Sequence, residues 1–417
     1  MLLYEQNMKP DSTPPFDIAV IGGGIAGAGI ARDGALRGLR VILFEKNTFG
    51  SGTSSKSSKL IHGGIRYLDV AWTAFTRAQF TEAWKNFRFV FTSLRESRIL
   101  CRIAPSWVKP HNIFIPIYVG NRRRRLTVFV GCLLYYLLGL VSGGGKMPRI
   151  SWSPRSALQV VPDLSLKDLN GGVMIRDHIT DDHGLVNATL ASARAHGADC
   201  REHARVLAYS YDSGSYLIKV SLEGAEMEFR ARKIINAAGP WIDEVRKAAK
   251  EKEKNFIVPV AGAHIALPKF IPNSVLLEAE DARIFFVINR GETCRIGTTE
   301  RLAPTSPDKV KPTEDEIEYL LRSVERYFPE HSFSRKDVLD SDAGVRPLAS
   351  PDRNRGLHEI SREHEIRVSS SGVIHMLGVK LTDHRRAAEE VLDRVVPSLL
   401  QYNPKAKRKT STHRTPL

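Results

Sequence analysis

The clearest pattern of apolar and polar positions lies near the N-terminus. Residues 16–21 form a short, mostly apolar run, which is typical of a strand buried in a parallel sheet. A glycine-rich turn follows at residues 22–29, and then a helical stretch for which Gly38 is the C-cap. A second apolar run covers residues 41–44 and ends in Glu45. This order predicts a strand, a helix and a second strand at the start of an α/β domain.

Later segments show other patterns. Residues 302–312 are rich in proline and serine and predict a loop, whereas residues 313–328 predict a helix with Thr313 as its N-cap. The last residues, 404–417, are basic and polar, which favours a frayed tail. No internal repeat of solenoid period is visible, so we do not expect a repeat protein.

The composition limits the class of protein. The chain has 417 residues, more than one core usually supports, so we expect at least two domains. Apolar residues make up 42% and charged residues 26%, as in an ordinary globular protein. Subtracting 46 Asp and Glu from 61 Lys and Arg gives a net charge of +15. This excess favours phosphate-bearing partners: an anionic lipid, a nucleic acid or a phosphorylated small molecule.

The cysteines argue against several metal and redox sites. Cys101, Cys132, Cys200 and Cys294 are scattered and form no C-x-x-C pair. This excludes a zinc ribbon and disfavours an iron–sulfur cluster or a disulfide scaffold, so we expect no metal site and a reducing compartment. The first residues lack a basic segment followed by a long apolar run, and we expect no secretory signal.

The glycine-rich turn also indicates a ligand. Gly22, Gly24 and Gly27 form a G-x-G-x-x-G pattern between the predicted strand and helix, and Glu45 ends the next strand. Such glycines allow a pyrophosphate to approach the helix N-terminus, and the acidic side chain can accept hydrogen bonds from a ribose. The pattern therefore predicts dinucleotide binding, with an ordinary glycine-rich turn as the alternative.

FAD is favoured over NAD because only one such fingerprint occurs, whereas a chain that reduces its own flavin with NAD(P)H would often carry two. Residues 233–241 also predict a strand that enters a turn of small residues, where backbone can lie close to a dinucleotide. Residues 53–68 read T-S-S-K-S-S-K-L-I-H-G-G-I-R-Y-L. With the glycine-rich turn, this segment resembles the FAD-dependent glycerol-3-phosphate dehydrogenase family, within the wider D-amino-acid-oxidase-like flavoproteins.

The resemblance extends from about residue 16 to about residue 395. Further matching segments follow in the same order, at residues 181–186, 236–241, 262–264, 286–288, 296–300, 343–348 and 378–385. The chain departs from the family's pattern at Gly184, Ala263 and Val379. Val379 adds bulk where backbone normally lies against the flavin.

The resemblance implies an α/β (α+β) fold class, with a Rossmann-like FAD-binding domain and a second, mixed-sheet substrate domain. The expected discontinuous FAD-binding domain comprises residues 16–105, 166–255 and 340–395. The remaining expected segments are an N-terminal tail (1–15), a basic and apolar membrane-interaction segment (106–165), a substrate-domain portion (256–339) and a C-terminal tail (396–417).

The resemblance also implies where the cofactor and substrate bind. The expected FAD-binding residues are Gly22, Gly24, Gly27, Glu45, Thr53, Ser54, Ser58, Lys59, Leu60, His62, Gly239, Gly378, Lys380, Leu381 and Thr382. A substrate phosphate needs several cationic donors, and the family places Arg66, Arg346 and Lys380 at the substrate end, with Tyr67 adding a hydroxyl.

Alcohol oxidation further requires removal of a proton from oxygen while hydride leaves carbon for the flavin. A neutral imidazole suits that proton transfer. His264 is the first candidate for the base and His62 the second, while Thr298 and Thr299 are expected to position the substrate. The resemblance thus implies catalytic roles for His264, Arg346 and Lys380, and substrate contacts for His264 and Thr298.

The electron acceptor that the resemblance implies is a lipid-soluble quinone. Four arginines at residues 122–125 precede sixteen mostly apolar residues at 126–141. That run is shorter than the ~20 residues that cross a bilayer, but it could lie in a membrane interface. A buried core helix is the alternative. The interface reading predicts a peripheral protein at the cytoplasmic, inner face of the cell membrane.

The function that the resemblance implies is FAD-dependent oxidation of sn-glycerol 3-phosphate to dihydroxyacetone phosphate. One alternative is an oxidase or dehydrogenase of the same fold that acts on another hydroxy acid or amine. A basic, non-enzymatic binding protein is a second alternative, but no recognised nucleic-acid module surrounds the arginines, so we expect no nucleic-acid partner. Self-association stays open.

Overall fold

Two large sheets organise the chain in the computed structural model, which describes residues 14–121, 123, 125–303, 306–349 and 363–417. The predicted N-terminal tail lies outside these residues except for its last two positions. Arg122 and Arg124, and the side chain of Arg66, also lie outside the described residues.

The described strands are β1 (Phe16–Ile21), β2 (Val41–Phe44), β3 (Leu60–Ile61), β4 (Val108–Tyr118), β5 (Arg149–Ser151), β6 (Leu169–Thr180), β7 (Asp199–Arg201), β8 (Ala204–Asp212), β9 (Ser215–Leu222), β10 (Ala225–Asn236), β11 (Ile257–Pro268), β12 (Ser274–Glu278), β13 (Ile284–Asn289), β14 (Thr293–Gly297), β15 (Arg301–Leu302), β16 (Asp340–Ala349), β17 (Glu365–Val368) and β18 (Ile374–Leu377). The described helices are α1 (Ile25–Leu36), α2 (Arg66–Thr76), α3 (Phe80–Ile103), α4 (Arg125–Val141), α5 (Pro154–Leu158), α6 (Asp182–Ala195), α7 (Ile242–Ala248), α8 (Glu314–Glu325) and α9 (His384–Leu399).

The first sheet has the strand order β17-β18-β10-β1-β2-β7, and β9 and β8 extend it from β10. β1 pairs in parallel with both β10 and β2. Ile18, Ala19 and Val20 are fully buried because both faces of β1 are covered. One face packs against α1, α3, α6 and α9, and the other packs against the β8–β9 ribbon. The predicted strand–helix–strand unit is therefore confirmed, and it forms the centre of this sheet.

The second sheet has the order β15-β11-β14-β13-β12-β4-β6-β3, with β16 paired to β11 and β5 to β6. Most pairs are antiparallel, but β12 and β4 are parallel. One face packs on α8 through Ile317, Leu320 and Val324. The predicted fold class, a Rossmann-like sheet with a second mixed sheet, is confirmed.

The strand pairings of the second sheet join segments that the predicted domain boundaries separate. β4 pairs with β6 from Val108 to Tyr118, although residues 106–165 were expected to form a separate membrane segment and residues 166–255 part of the FAD-binding domain. β16 pairs with β11 along ten residues, although residues 340–395 were assigned to the first domain. These pairings join strands distant in sequence, and local apolar patterns do not specify such partners.

The C-terminal residues are packed, so the expectation of a frayed tail is wrong. α9 extends to Leu399, and the N–H of Leu417 donates to the carbonyl of Ile103 at 2.7 Å. The reason lies in two buried arginines of the α1 region. Arg32 donates to the carbonyl of Thr415 at 2.6 Å, and Arg37 donates to that of Arg408 at 2.7 Å. Buried guanidinium groups need acceptors, and the last residues supply them.

Candidate active site

A cavity of about 710 Å³ lies between the two sheets. Its walls come from the carboxyl ends of β1 and β2, the N-terminus of α1, and residues 50–65. Parts of β11, β16 and residues 376–382 complete it. Ligands of open α/β sheets bind outside the carboxyl ends of the strands, and this cavity has that position.

The three positions of the fingerprint favour glycine for different structural reasons. Gly22 has a φ of +108°, and a Cβ there would lie 2.7 Å from the carbonyl oxygen of Ala237. A Cβ at Gly27 would lie only 1.9 Å from the carbonyl oxygen of Gly22. These two positions need glycine so that α1 and β10 can pack against the turn. At Gly24 a Cβ would meet the Ser54 hydroxyl at 3.0 Å, on the side that faces the cavity.

The N-terminus of α1 opens onto this cavity. Gly24 is the N-cap residue and has no side chain to cap the helix. The N–H of Ile25 donates to Oγ of Ser54 at 2.9 Å, and Thr53 donates to the carbonyl of Val345 at 2.7 Å. The positive end of the helix dipole therefore faces the cavity, which suits the anionic groups of a dinucleotide.

Glu45 is fixed at the end of β2 by two backbone donors. Its Oε2 accepts from the N–H of Gly23 at 2.7 Å, and its Oε1 accepts from the N–H of Asn47 at 2.8 Å. Each carboxylate oxygen has a second lone pair, so both can still accept hydrogen bonds from a ligand hydroxyl.

The cavity is also lined by side chains that were not among the predicted site residues. Nζ of Lys46 lies 4.3 Å from the centre of the Trp241 ring and 3.0 Å from Oδ1 of Asp308. Nε1 of Trp241 is buried and has no hydrogen-bond partner in the described part of the chain. A buried indole N–H usually has an acceptor, so this atom indicates that a ligand completes the site.

The wall formed by β11 and β16 holds the predicted substrate groups. The register pairs Val260 with Arg346 across these strands. NH2 of Arg346 donates to Oγ1 of Thr298 at 3.2 Å. Nε2 of His264 lies 2.9 Å from Oγ of Ser58. The structure thus brings these four predicted side chains to one wall of the cavity.

His264 is nearly fully buried, and burial holds its pKa well below the ordinary range. The positive charges of Arg295, Arg346 and Lys59 lower this pKa further. Nδ1 forms no hydrogen bond within the described residues, and Oδ1 of Asp342 lies 3.9 Å from it. His264 is therefore a neutral imidazole at physiological pH.

Lys380 lies between two aromatic rings. Its Nζ is 3.3 Å from the hydroxyl of Tyr67 and 3.9 Å from the ring centre of Phe89. Sequence reasoning found Lys380 and Tyr67 but missed Phe89, which comes from α3. No local motif marks Phe89, because the contact depends on how α3 packs.

The comparisons with known proteins agree with this architecture. A protein-family model for FAD-dependent oxidoreductases matches residues 17–382. The chain belongs to the FAD-dependent oxidoreductase family. It is 31% identical to the aerobic glycerol-3-phosphate dehydrogenase of Staphylococcus haemolyticus over 410 residues, which cover 96% of this chain and 71% of that protein. It is 33% identical to the mitochondrial glycerol-3-phosphate dehydrogenase of Rattus norvegicus, over 94% of this chain and 54% of that one.

Among solved structures, the chain is similar to the glycerol-3-phosphate dehydrogenase of Bacillus halodurans complexed with FAD. The TM-score is 0.72 at 28% identity, over 93% of this chain and 66% of that one. The chain thus spans slightly less than two thirds of that solved protein. This flavoprotein has FAD as its cofactor and is an oxidoreductase related to the glycerol-3-phosphate dehydrogenases. The open α1 N-terminus and the Trp241 indole fit that cofactor.

Most residues expected to hold FAD in this oxidoreductase line the cavity, including Leu60, His62, Gly239, Gly378, Leu381 and Thr382. Gly27 and Lys59 do not line it. Nζ of Lys59 instead contacts the buried Asp182 at 2.5 Å and the carbonyl of Ser55 at 2.8 Å. The ammonium group of Lys59 thus anchors the serine-rich segment to α6.

A buried carboxyl group in the flavoprotein's cavity wall was not predicted. Oδ1 of Asp177 accepts from the hydroxyl of Tyr135 at 2.7 Å, and that hydroxyl accepts from the N–H of Gly63 at 2.8 Å. Burial raises the pKa of Asp177 to about 7. The three groups join β6 and α4 to the segment that contains His62. A buried pair on separate elements leaves no signature in sequence spacing.

Proposed function

We propose that this flavoprotein oxidises sn-glycerol 3-phosphate to dihydroxyacetone phosphate and passes the electrons to a quinone at a membrane surface. The observation that carries the proposal is the pair of cations, Arg346 and Lys380, in the same cavity as the neutral imidazole of His264. The cations suit a phosphate, and the imidazole suits proton transfer from an alcohol.

Arg346 and Lys380 bind the substrate phosphate in this proposal. Arg346 presents a planar guanidinium that can donate two parallel hydrogen bonds to phosphate oxygens. The Tyr67 and Phe89 rings hold Nζ of Lys380, so that its charge faces the cavity with less freedom to move. Arg66, at the start of α2, is proposed to add a third cation.

Proton removal is assigned to His264. FAD, when bound, supplies the acceptor for the hydride that leaves the alcohol carbon. Nε2 of His264 can take the hydroxyl proton directly or through the hydroxyl of Ser58, which lies 2.9 Å from it. Its low pKa keeps the imidazole neutral before the reaction, so that a ring nitrogen is available to accept this proton. Thr298 positions the substrate, because its hydroxyl is held by Arg346.

A substrate panel tests this proposal against the alternative flavoenzyme. The purified FAD-loaded protein is assayed for reduction of an artificial dye with sn-glycerol 3-phosphate, glycerol, lactate and glycine. We expect turnover with the phosphorylated alcohol alone, because only this substrate offers a phosphate group to Arg346 and Lys380. Preferred turnover of lactate or glycine would contradict the proposal and support an oxidase or dehydrogenase for a hydroxy acid or amine.

The proposed membrane contact rests on the outer face of α4. Leu126, Val130, Leu133, Leu137 and Leu140 are substantially exposed and follow helical spacing along one face. Cys132, Tyr135, Leu138 and Gly139 on the other face are buried. The core-helix alternative therefore describes only one face of α4. None of the described helices has both the length and the apolar character needed to cross a bilayer.

Aromatic side chains extend this apolar surface. Trp72, Phe75, Phe80 and Trp84, at the junction of α2 and α3, are each more than half exposed. Exposed apolar patches of this kind mark interaction surfaces. One cation of the arginine run, Arg123, is neutralised within the protein. Arg123 forms ion pairs with Asp69 and Glu278 at 2.9 and 2.8 Å. The apolar faces of α2, α3 and α4 are thus the main support for the membrane proposal and for a location at the inner face of the cell membrane.

A further inference from the structure

A cavity of about 520 Å³ lies outside the active site, where the C-terminal half of α3 meets the end of α4. Its polar walls come from four parts of the chain: α3, the turn after α4, β6 and the C-terminal residues. The groups that matter are Arg95, Arg98, Arg102, Ser142, His178 and His413. Neither the family resemblance nor the proposed reaction uses these residues.

The charge of this cavity is unbalanced. Arg95, Arg98 and Arg102 are spaced three and four residues apart, so they lie on one face of α3. None of the three forms an ion pair with a carboxylate of the described residues, and no described Asp or Glu lines the cavity. Other arginines of the same molecule do pair; Arg385, for example, lies 2.6 Å from Glu96.

The two histidines do not add to the positive charge at physiological pH. Burial, together with the smaller effect of the nearby charges of Arg98 and Arg176, lowers the pKa of His178 to about 4. Burial also lowers the pKa of His413, with Arg385, Arg414 and Arg102 acting in the same direction and Glu389 opposing them. The cavity therefore presents three guanidinium charges and two neutral imidazoles that can act as donors or acceptors.

Two of the three guanidinium groups are held in place before any ligand binds. NH1 of Arg98 donates to Oγ of Ser142 at 2.8 Å, and a Cβ at Gly139 would lie 2.9 Å from its NH2. NH2 of Arg102 donates to the carbonyl of His413 at 2.9 Å. A guanidinium has five N–H donors, so most of the donors stay available. Fixed, planar donors on neighbouring turns match the oxygens of a phosphate.

We propose that this cavity binds a phosphate group, presented either by a free phosphate-bearing molecule or by the headgroup of an anionic lipid. The lipid source rests on the proposed membrane attachment. The cavity adjoins the exposed end of α4, since Val141 directly precedes the lining residue Ser142. The phosphate site itself does not depend on that attachment or on the substrate.

Calorimetric titration of the FAD-loaded full chain with inorganic phosphate tests the site. We expect two phosphates per wild-type chain, one at Arg346 in the active site and one in this cavity. Arg95→Gln with Arg102→Gln should weaken the second by at least about tenfold, since each change removes a charge-assisted donor. Both side chains are exposed, so the fold should tolerate the changes. Lys247→Gln with Lys252→Gln removes the same charge elsewhere and should leave both affinities unchanged.

The results separate this proposal from the proposed function. If Arg346→Ala abolishes all phosphate binding, or if the arginine and lysine double variants bind phosphate equally, the cavity is not a phosphate site. If Arg346→Ala leaves both phosphates bound, the substrate assignment fails. The variant with Arg95→Gln and Arg102→Gln then still tests whether the cavity binds phosphate.

Vesicles distinguish the two sources. Phosphatidylcholine vesicles with and without phosphatidic acid are mixed with the wild type and both double variants. A loss of phosphatidic-acid-dependent binding confined to the arginine double variant supports a lipid headgroup. Loss of inorganic phosphate binding without any vesicle effect supports a free ligand.

Discussion

The hydroxyl of Ser58 lies 2.9 Å from Nε2 of His264, although 206 residues separate them in the sequence. Ser58 belongs to the segment that follows the nucleotide-binding unit, whereas His264 lies in β11 of the second sheet. The proposed base is therefore positioned by the serine-rich segment that leads into β3, a strand of the same sheet as β11. A change that moves this segment away from β11 should therefore disturb proton transfer.

The fingerprint assignment predicts a graded effect at position 24. Gly24→Val should abolish FAD binding, because branched carbon atoms would occupy the side of the turn that faces the cavity. Gly24→Ala should retain part of it, since one carbon meets only the Ser54 hydroxyl at 3.0 Å. Flavin absorbance per protein measures both. Full flavin occupancy in the valine variant would show that the cofactor does not lie at this turn.

The substrate assignment predicts that Arg346→Ala raises KM for sn-glycerol 3-phosphate by about tenfold or more, because one charge-assisted phosphate contact is lost. Flavin content should stay normal. Arg230→Ala, which removes an exposed arginine of β10, is the matched control and should leave KM unchanged. Equal kinetics for the two variants would contradict phosphate binding by Arg346.

The membrane proposal predicts that apolar contacts of α4 survive high salt. Leu133→Glu with Leu137→Glu should reduce flotation with anionic liposomes in salt, because charged side chains would enter the apolar interface. Leu302→Glu with Leu339→Glu changes two exposed leucines outside α4 and should leave flotation unchanged. A wild-type protein that stays with the soluble fraction even at low salt would contradict the proposal.

The buried Asp177 predicts a pH dependence of stability. Its pKa is raised from 3.8 to about 7 in the folded protein. At pH values between these two, the folded state therefore keeps a proton that the unfolded state has lost. Stability from this group is present at low pH and is lost as the pH rises through 7. From pH 5 to pH 8, Asp177→Asn should therefore become less destabilising by about 2–3 kcal/mol relative to wild type.

Tyr135→Phe provides the companion measurement for Asp177. The Tyr135 hydroxyl lowers the pKa of this carboxyl by donating to it, so its removal should move the pH window upward. Chemical unfolding of the FAD-loaded protein across this pH range measures both variants. An identical pH dependence in wild type and Asp177→Asn would mean that Asp177 does not titrate as described.

The sequence was informative where structure is local. The unit from β1 to β2 was predictable because its apolar runs, glycines and acidic end follow one another within about 30 residues. The N-cap of α8 was predictable for the same reason, since Thr313 and Glu316 form a capping box. Family resemblance added the positions of Arg346, Thr298 and His264, which the structure brings to one wall.

Contacts between distant segments could not be derived in this way. The pairing of β4 with β6, the Phe89 ring beneath Lys380 and the Tyr135–Asp177 pair each depend on the packing of separate elements. The packing of the C-terminal residues depends on Arg32 and Arg37, whose burial no local pattern indicates. A segment that looks polar and disordered can thus be ordered by the acceptors that it supplies.

Anaerobic titration of the purified protein with sn-glycerol 3-phosphate tests the central claim most directly. The long-wavelength absorption band of the bound flavin is recorded after each addition, with Arg346→Ala titrated in parallel. We predict that the substrate bleaches the flavin fully in the wild type at stoichiometric amounts, and that the variant needs a large excess. Bound flavin that stays oxidised in the wild type at saturating sn-glycerol 3-phosphate would contradict the account.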